Sequence, residues 1–289
     1  MISYAQNFED VMLWRALKHV PSGFYIDVGA WSPDIDSVTR HFYESGWRGI
    51  NIEPNPSFST QYAKKRPEDI TLEVAISDVA TTAELYFSSN PGLSSLDATI
   101  AMHHEADGTT TTPQVVEVTT LKEVCAKHVQ GKAIHFLKVD VEGLEKNVLA
   151  GNDWMHYRPW VIVVEATKPM SQIENYTEWE PILLEASYEF VYADGLNRFY
   201  VAKEHQELKS AFKYPPNIFD EFVLAEEVKL REEFEKVAHD AEKLAVDTEK
   251  IVKATMAQVE QTKQMYENSL SWKITKPLRV IKSLFFQEN

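Results

Sequence analysis

Cysteine is almost absent from this 289-residue chain. Cys125 stands alone, which excludes an internal disulfide framework and fits a reducing cytoplasm. Positive charge is also scarce. Lys and Arg number 29 against 44 Asp and Glu, a formal net charge of −15. A sequence-independent nucleic-acid binder needs the opposite balance, so no nucleic-acid partner is expected. No window approaches the roughly 20 apolar residues of a membrane span. Glu9, Asp10 and Arg15 interrupt any apolar core of a signal peptide, so a cytoplasmic protein is expected, with room for a peripheral place at the inner membrane face. A complete GxGxxG is missing too, and with it the usual sign of a dinucleotide site. What remains is 44% hydrophobic and 25% charged, the composition of a globular protein. The length suits one large α/β domain plus an appendage.

The richest stretch runs from Gly23 to Pro56, GFYIDVGAWSPDIDSVTRHFYESGWRGINIEPNP. Phe24, Tyr25, Ile26 and Val28 read as a strand buried on both faces, with Asp27 near its end. Gly29 permits a tight turn where a side chain would obstruct a ligand. Val38, Phe42 and Tyr43 return at helical spacing between Asp36 and Ser45. Ile50 and Ile52 form a second strand ending on Glu53 and Pro54. An acid at that strand tip is placed to accept hydrogen bonds from a ribose diol. Trp31, Pro33 and the acids Asp27, Asp34 and Asp36 replace the missing glycines. An acidic rim repels a pyrophosphate and suits a cationic nucleoside such as S-adenosylmethionine.

Along the chain, Ser3 to Lys18 reads as an amphipathic helix capped by Asn7 or Ser3. Pro56 to Arg66 is a further helix, and Thr71 to Asp78 a third strand with Val74 and Ile76 inward. Ser77 and Asp78 end that strand, where backbone and hydroxyl groups are expected to edge an adenine. Ala83–Ser88 and Val115–Val118 read as strands, and Thr120–His128 as a helix. The Gly-, Ser-, Thr- and His-rich loop from Asn90 to Pro113 has the length of a functional lid and carries His103 and His104 as candidate bases or ligands. Ile134 begins a buried strand ending in Asp140-Val-Glu142-Gly143, and Trp160 another ending in Glu165. Tyr188–Ala193 and Arg198–Ala202 form a closing hairpin. Four strands therefore end in acids: Asp27, Glu53, Asp140 with Glu142, and Glu165. Clustered carboxylates repel one another, and a cationic ligand, a metal ion or a hydroxyl awaiting deprotonation would explain them. Hard oxygen ligands suit Mg²⁺ or another divalent cation on Asp140, Glu142 and Glu165. A carboxylate or one of the histidines acting as base without metal is the other reading.

Six segments resemble the FkbM-type methyltransferase family: SYAQNFEDVML (3–13), GFYIDVGA (23–30), DSVTRHFYESGWRGINIEPNP (36–56), IHFLKVDVEGLEKNVLAG (134–151), RPWVIVVEAT (158–167) and DGLNRFYVA (194–202). The resemblance implies a class I, Rossmann-like α/β fold: a doubly wound, mostly parallel sheet ending in an antiparallel hairpin. It also implies an S-adenosylmethionine-dependent O-methyltransferase of sugars, glycans or natural products. The cofactor residues it implies are Asp27, Gly29, Ala30, Asp36, Ser37, Glu53, Pro54, Asn55, Ala75, Ser77 and Asp140. Asp140, Glu142 and Glu165 fall where methyl transfer occurs.

The domain is expected to span 1–216, ending at Pro215-Pro216. From 217 to 268 no Gly or Pro interrupts a charged segment after Asn217. Leu230, Phe234, Val237, Ala241, Leu244, Thr248, Ile251 and Thr255 keep the 4-3 spacing of a coiled coil. A helical homo-oligomer, or docking on another protein, is expected. In the tail, 269–289, Lys273, Lys276, Arg279 and Lys282 face the single acid Glu288, and Ile274, Leu278, Ile281 and Phe285 share one helical face. Such a tail suits an anionic membrane surface or a partner protein; SWKITKPLR resembles tails of some bacterial polysaccharide glycosyltransferases. Together the parts suggest methylation of a sugar in an O-antigen or similar polymer, capping the chain. A small natural-product or lipid methyltransferase, and a non-catalytic coiled-coil scaffold, are the alternatives.

Overall fold

A computed structural model describes residues 1–88, 111–169 and 171–285. The chain divides into two compact units, Met1–Ala225 and Glu226–Asn289.

The first unit is built on a seven-stranded sheet. Its interior strand β2 (Phe24–Val28) has all five residues buried. On one side lie β3 (Arg48–Ile52) and β4 (Ile70–Leu72), on the other β8 (Phe136–Val139) and β9 (Val161–Glu165), all parallel. The antiparallel strand β11 (Asn197–Ala202) and its hairpin partner β10 (Tyr188–Ala193) complete the edge. The order β10-β11-β9-β8-β2-β3-β4 reverses direction at β2, so a crevice opens beyond the carboxyl ends of β2 and β8. Period-two alternation sorts the side chains into two cores. Ile26, Val28, Ile50, Leu137, Val139, Ile162 and Val164 pack against helices α4 (Leu121–His128), α5 (Glu145–Ala150) and α6 (Glu180–Glu185). Tyr25, Phe136, Val161, Val163, Phe199 and Val201 pack against α1 (Glu9–Leu17) and α2 (Arg40–Glu44).

The structure departs from the sequence expectations at four places. The first helix begins at Glu9, not Ser3, because the buried Asp10 carboxylate accepts Ser3 Oγ and the backbone N–H of Tyr4 and Ala5, wrapping those residues into a loop. Ile2 and Ser3 instead form β1, paired in parallel with Val223 and Leu224 of β12. The second helix is only Arg40–Glu44, since Asp36 sits in the left-handed region (φ 51°) and Ser37 and Thr39 are bonded to the buried Arg66. The stretch 71–78 is not one strand. After β4 the chain leaves the large sheet, and β5 (Ala75–Ser77) joins β6 (Thr81–Ser88) and β7 (Thr111–Thr120) in a three-stranded sheet with its own small core. Beyond Pro216 the chain returns to pair with β1, so the first unit runs on to Ala225.

The second unit is helical: α7 (Ala225–Asn268), α8 (Leu270–Ile274) and α9 (Lys276–Phe285). None of the 44 residues of α7 is buried, and Leu230, Phe234, Val237, Leu244 and Ile251 are exposed along it. Among the described residues no helix is long and apolar enough to cross a membrane.

Candidate active site

The register fixes the site. Asp27 on β2 lies opposite Asn51 on β3 and Lys138 on β8. All three belong to the face that carries Tyr25 and Phe136, at the end where the strands run out. Lys138 is the organising cation. Its ammonium donates to the carbonyl of Gly29 at 2.8 Å and lies 3.3 Å from Asp140 Oδ2 and 3.5 Å from Asp27 Oδ1. Burial works against its charge, but Asp140 and then Asp27 more than offset this and hold the ammonium above its ordinary range. One lysine thereby ties the loop after β2 to the loop after β8. Nothing in the sequence reading assigned it. A charged residue amid the apolar run IHFLKVDV was the available signal.

Gly29 has a role other than clearing space for a ligand. It adopts φ 75°, and a Cβ there would lie 1.7 Å from the carbonyl oxygen of Asp140. The two loops are thus in backbone contact, reinforced by Asp140 N–H donating to the Val28 carbonyl at 3.1 Å. The amides of Gly29 and Ala30 both donate to the Ile52 carbonyl at 3.1 Å. No phosphate cradle of free amides exists at this turn, in keeping with the missing GxGxxG.

Asp27 is 1% exposed, accepts Thr39 Oγ1 at 3.2 Å through Oδ2, and leaves Oδ1 with no hydrogen-bond donor. Burial pushes its carboxyl up against the pull of Lys138, Arg66 and Thr39. Glu53, at the tip of β3, accepts the amide of Asn55 at 2.8 Å on one oxygen and that of Trp31 at 3.0 Å on the other. Each oxygen keeps a second lone pair, so a ribose diol still has acceptors. Burial pushes Glu53 up to about 7 despite those two donors. Pro54 follows it, and Asn55 caps helix α3 (Pro56–Lys65) by accepting the Ser57 amide, so its side-chain oxygen is committed to the helix.

Arg66 shapes the rest of the loop. Buried at 2% exposure, it donates to Thr39 Oγ1 and Ser37 Oγ, both at 2.8 Å, and to the Pro33 carbonyl. Ser37 is therefore an anchor inside the loop, while Asp36 is exposed. Ala30 is buried and its carbonyl accepts the Tyr62 hydroxyl at 2.8 Å.

At the other end of the crevice, Asp140 faces Lys138, and Glu165 is 8% exposed with Oε2 lacking a hydrogen-bond donor. Burial, then the charges of Asp140, Glu142 and Glu145, push Glu165 well above the carboxylate range. Burial and the same neighbouring acids push Glu142 up to about 8. Glu145, unremarked in the sequence, accepts the amides of Val141 and Gly143 and so braces the 140–143 turn, in which Glu142 takes φ 54°. Across the sheet from Glu165, its register partner Asn197 donates to Glu9 at 2.8 Å, which brings the N-terminal segment to the site.

The structure thus gathers Asp27, Gly29, Ala30, Glu53, Asp140, Glu142 and Glu165 around the strand ends. Ala75 and Ser77 belong to the smaller sheet, where Ser77 Oγ donates to the neighbouring Asp78. His103 and His104 lie outside the described residues. Among the described residues no three His, Cys, Asp or Glu side chains converge as a metal ion's ligand set. The expected divalent cation on Asp140, Glu142 and Glu165 thus finds no support in this arrangement, and the cation beside Asp140 is the Lys138 ammonium.

The crystal structure of a TehB-like SAM-dependent methyltransferase from Corynebacterium glutamicum is similar to this chain at 8% identity and a TM-score of 0.36, over 68% of this chain and 88% of that one. No curated protein matches. A model of the methyltransferase FkbM domain matches residues 27–190, from β2 into the closing hairpin. That stretch is more than half of the chain, and its strand order has the switch point at β2 that such a domain requires. The chain belongs to the FkbM methyltransferase family and is an S-adenosylmethionine-dependent methyltransferase.

Proposed function

We propose that the acceptor is a hydroxyl oxygen of a sugar in a bacterial cell-surface glycan, an O-antigen or similar polysaccharide, and that its methylation caps the chain. The observation that carries O-methylation is the pairing of unlike carboxyl groups at the ends of β8 and β9: Asp140 against the Lys138 ammonium, Glu165 buried among acids. The residues fit the cofactor. Asp27 has a buried oxygen without a donor, Glu53 has spare acceptors, and the surrounding charge is negative. When bound, S-adenosylmethionine supplies an electrophilic methyl group on a sulfonium.

The chain's own residues do the rest. Glu53 would hold the ribose diol, and Asp27, fixed by Thr39 and Lys138, would face the cationic part of the cofactor. Asp140 would take the hydroxyl proton as the oxygen–carbon bond forms and the methyl carbon–sulfur bond breaks, leaving a neutral thioether. Glu165, held protonated, donates a hydrogen bond that orients the acceptor. A sugar hydroxyl is a weak acid, so a positioned base contributes roughly 10²–10⁴-fold, and fixed geometry contributes more. No step is routed through a metal. The heptad stripe on α7 is the seam of a homo-oligomer, which presents several active units to one glycan assembly site and to its glycosyltransferase.

The test uses S-adenosylmethionine labelled in its methyl group with a panel of glycans. Alkali cleaves a methyl ester, and label that survives alkali is assigned to oxygen, nitrogen or carbon by the methyl carbon's NMR shift. Asp140→Ala is expected to lose turnover about 10²-fold or more while calorimetric affinity for the cofactor stays within about threefold. Unchanged turnover, or label only in esters, sinks this reading.

A further inference from the structure

The tail carries a surface that the methyltransferase reaction does not use. Helices α8 and α9 are separated at Thr275, and a compact set of contacts closes the bend. Arg279 lies 3.6 Å over the Trp272 ring, donates to Thr275 Oγ1 at 2.7 Å and to the Trp272 carbonyl at 2.6 Å. Trp272 also meets the Tyr266 ring of α7 edge-on, at 6.1 Å between centroids.

On α9, Lys276, Arg279 and Lys282 recur every third residue along one side, and at about 100° per residue Leu278 and Ile281 project from the other. The apolar side is open to solvent: Ile274 is 69% exposed, Leu278 67% and Ile281 52%. The charges are open as well. Three of the six lysines on α7 find acids within their own helix: Lys250 with Asp247, Lys253 with Glu249 and Lys263 with Glu260. The tail has no acid before Glu288. Among the described residues none of Lys273, Lys276 and Lys282 forms an ion pair. In a chain of net charge −15, the tail sets four cations against one acid and couples them to an open apolar face.

We infer that α8 and α9 bind an anionic lipid surface, lying in its plane with Leu278 and Ile281 in the acyl boundary and the lysines at the headgroups. Charge complementarity selects the occupant. A protein seam as short as this one gains little from cations that meet no fixed acids, whereas an anionic leaflet offers mobile negative charge wherever each lysine falls. Trp272, half apolar and half polar, sits at the junction where interfacial aromatics reside.

The experiment is sedimentation of the full chain with vesicles of phosphatidylcholine alone or with about a third phosphatidylglycerol, at low and high salt. Binding is expected only to the anionic vesicles and is weakened by salt. Each basic side chain near such a surface contributes roughly fivefold to partitioning. Lys276→Glu combined with Lys282→Glu is therefore expected to lower the partition coefficient at least tenfold, and Leu278→Glu with Ile281→Glu to abolish it. Light scattering and circular dichroism on the same variants check that the remaining chain is unchanged. Equal sedimentation with both vesicle types, no sedimentation with either, or wild-type binding by the apolar-face variant overturns the inference. So does a fall in oligomer mass in that variant without lipid, which would mean that protein covers the face.

Discussion

The two units treat charge and apolar surface in opposite ways. In the first, carboxyl groups are buried against strand ends and held by named donors, and the apolar side chains of the sheet strands pack into buried cores. In the second, α7 has no buried residue, and its ion pairs are local i,i+3 and i,i+4 contacts in solvent. Exposed pairs of that kind contribute about 0.3–0.5 kcal/mol each. The first unit therefore stabilises itself by packing, while the second presents a pattern whose energy is released only when something covers it. The first resembles a finished site and the second an address.

The comparison can be broken at several points. The largest effect is expected at Lys138→Met, which leaves Asp27 and Asp140 without their cation. Breaking a buried pair in this way costs about 3–5 kcal/mol, and S-adenosylmethionine affinity should collapse with it. Thermal unfolding and calorimetry read both, and an unchanged midpoint would remove Lys138 from its place at the centre of the site. Next comes one substitution made in both units. Phe42 is fully buried between Trp14, Trp47 and Phe136, whereas Phe234 is 75% exposed. Phe42→Ala is expected to cost about 3–5 kcal/mol of the first unit's stability, and Phe234→Ala less than about 0.5 kcal/mol. Equal costs would mean that the first unit depends on what α7 packs against.

Gly29→Ala follows. Left-handed backbone alone costs about 1–3 kcal/mol, and the clash with the Asp140 carbonyl adds to it, so cofactor binding should weaken through the loops and not through lost contact. Val115, 68% exposed on β7, can be changed to Ala as the control.

A pH titration sharpens the contrast further. Glu9 and Glu53 are both raised from 4.5 to about 7 by burial. A carboxyl group whose folded value lies above its unfolded value contributes most below the unfolded value, and that contribution is lost as pH rises through the folded one. Without ligand, the first unit should lose stability from about pH 5 to about pH 8, because both groups ionise in the unfolded chain before they ionise in the folded one. Saturating S-adenosylmethionine, a cation, should flatten that slope. The solvated helix α7 should show no such trend by circular dichroism.

Much of the site was legible because its signals are local. An acid after a buried β-strand is visible in FYIDV, INIE, FLKVD and VIVVE, and the sheet carries each to the same end. Lys138, Arg66, Glu145 and Glu9 were not legible as site residues. Each acts on a partner brought by a different strand or loop, and sequence spacing does not record such pairings. The same reason explains the misread helix starts: Asp10 and Arg66 redirect nearby backbone through tertiary bonds that outweigh helical periodicity. The stretch 71–78 has one uninterrupted β-pattern, and only the competing sheet partners β3 and β7 split it.

By itself the sequence determined the alternation of buried strands and helices, the acids at the strand ends, the amphipathic stripes of the last 64 residues and the family, since all of these are written in short-range pattern. Tertiary structure alone decided which acids meet, which cation lies among them, and which glycine must remain bare. Those choices depend on strand register and loop contact, and only the closed fold brings residues more than 100 positions apart, such as Gly29 and Lys138, to within a hydrogen bond.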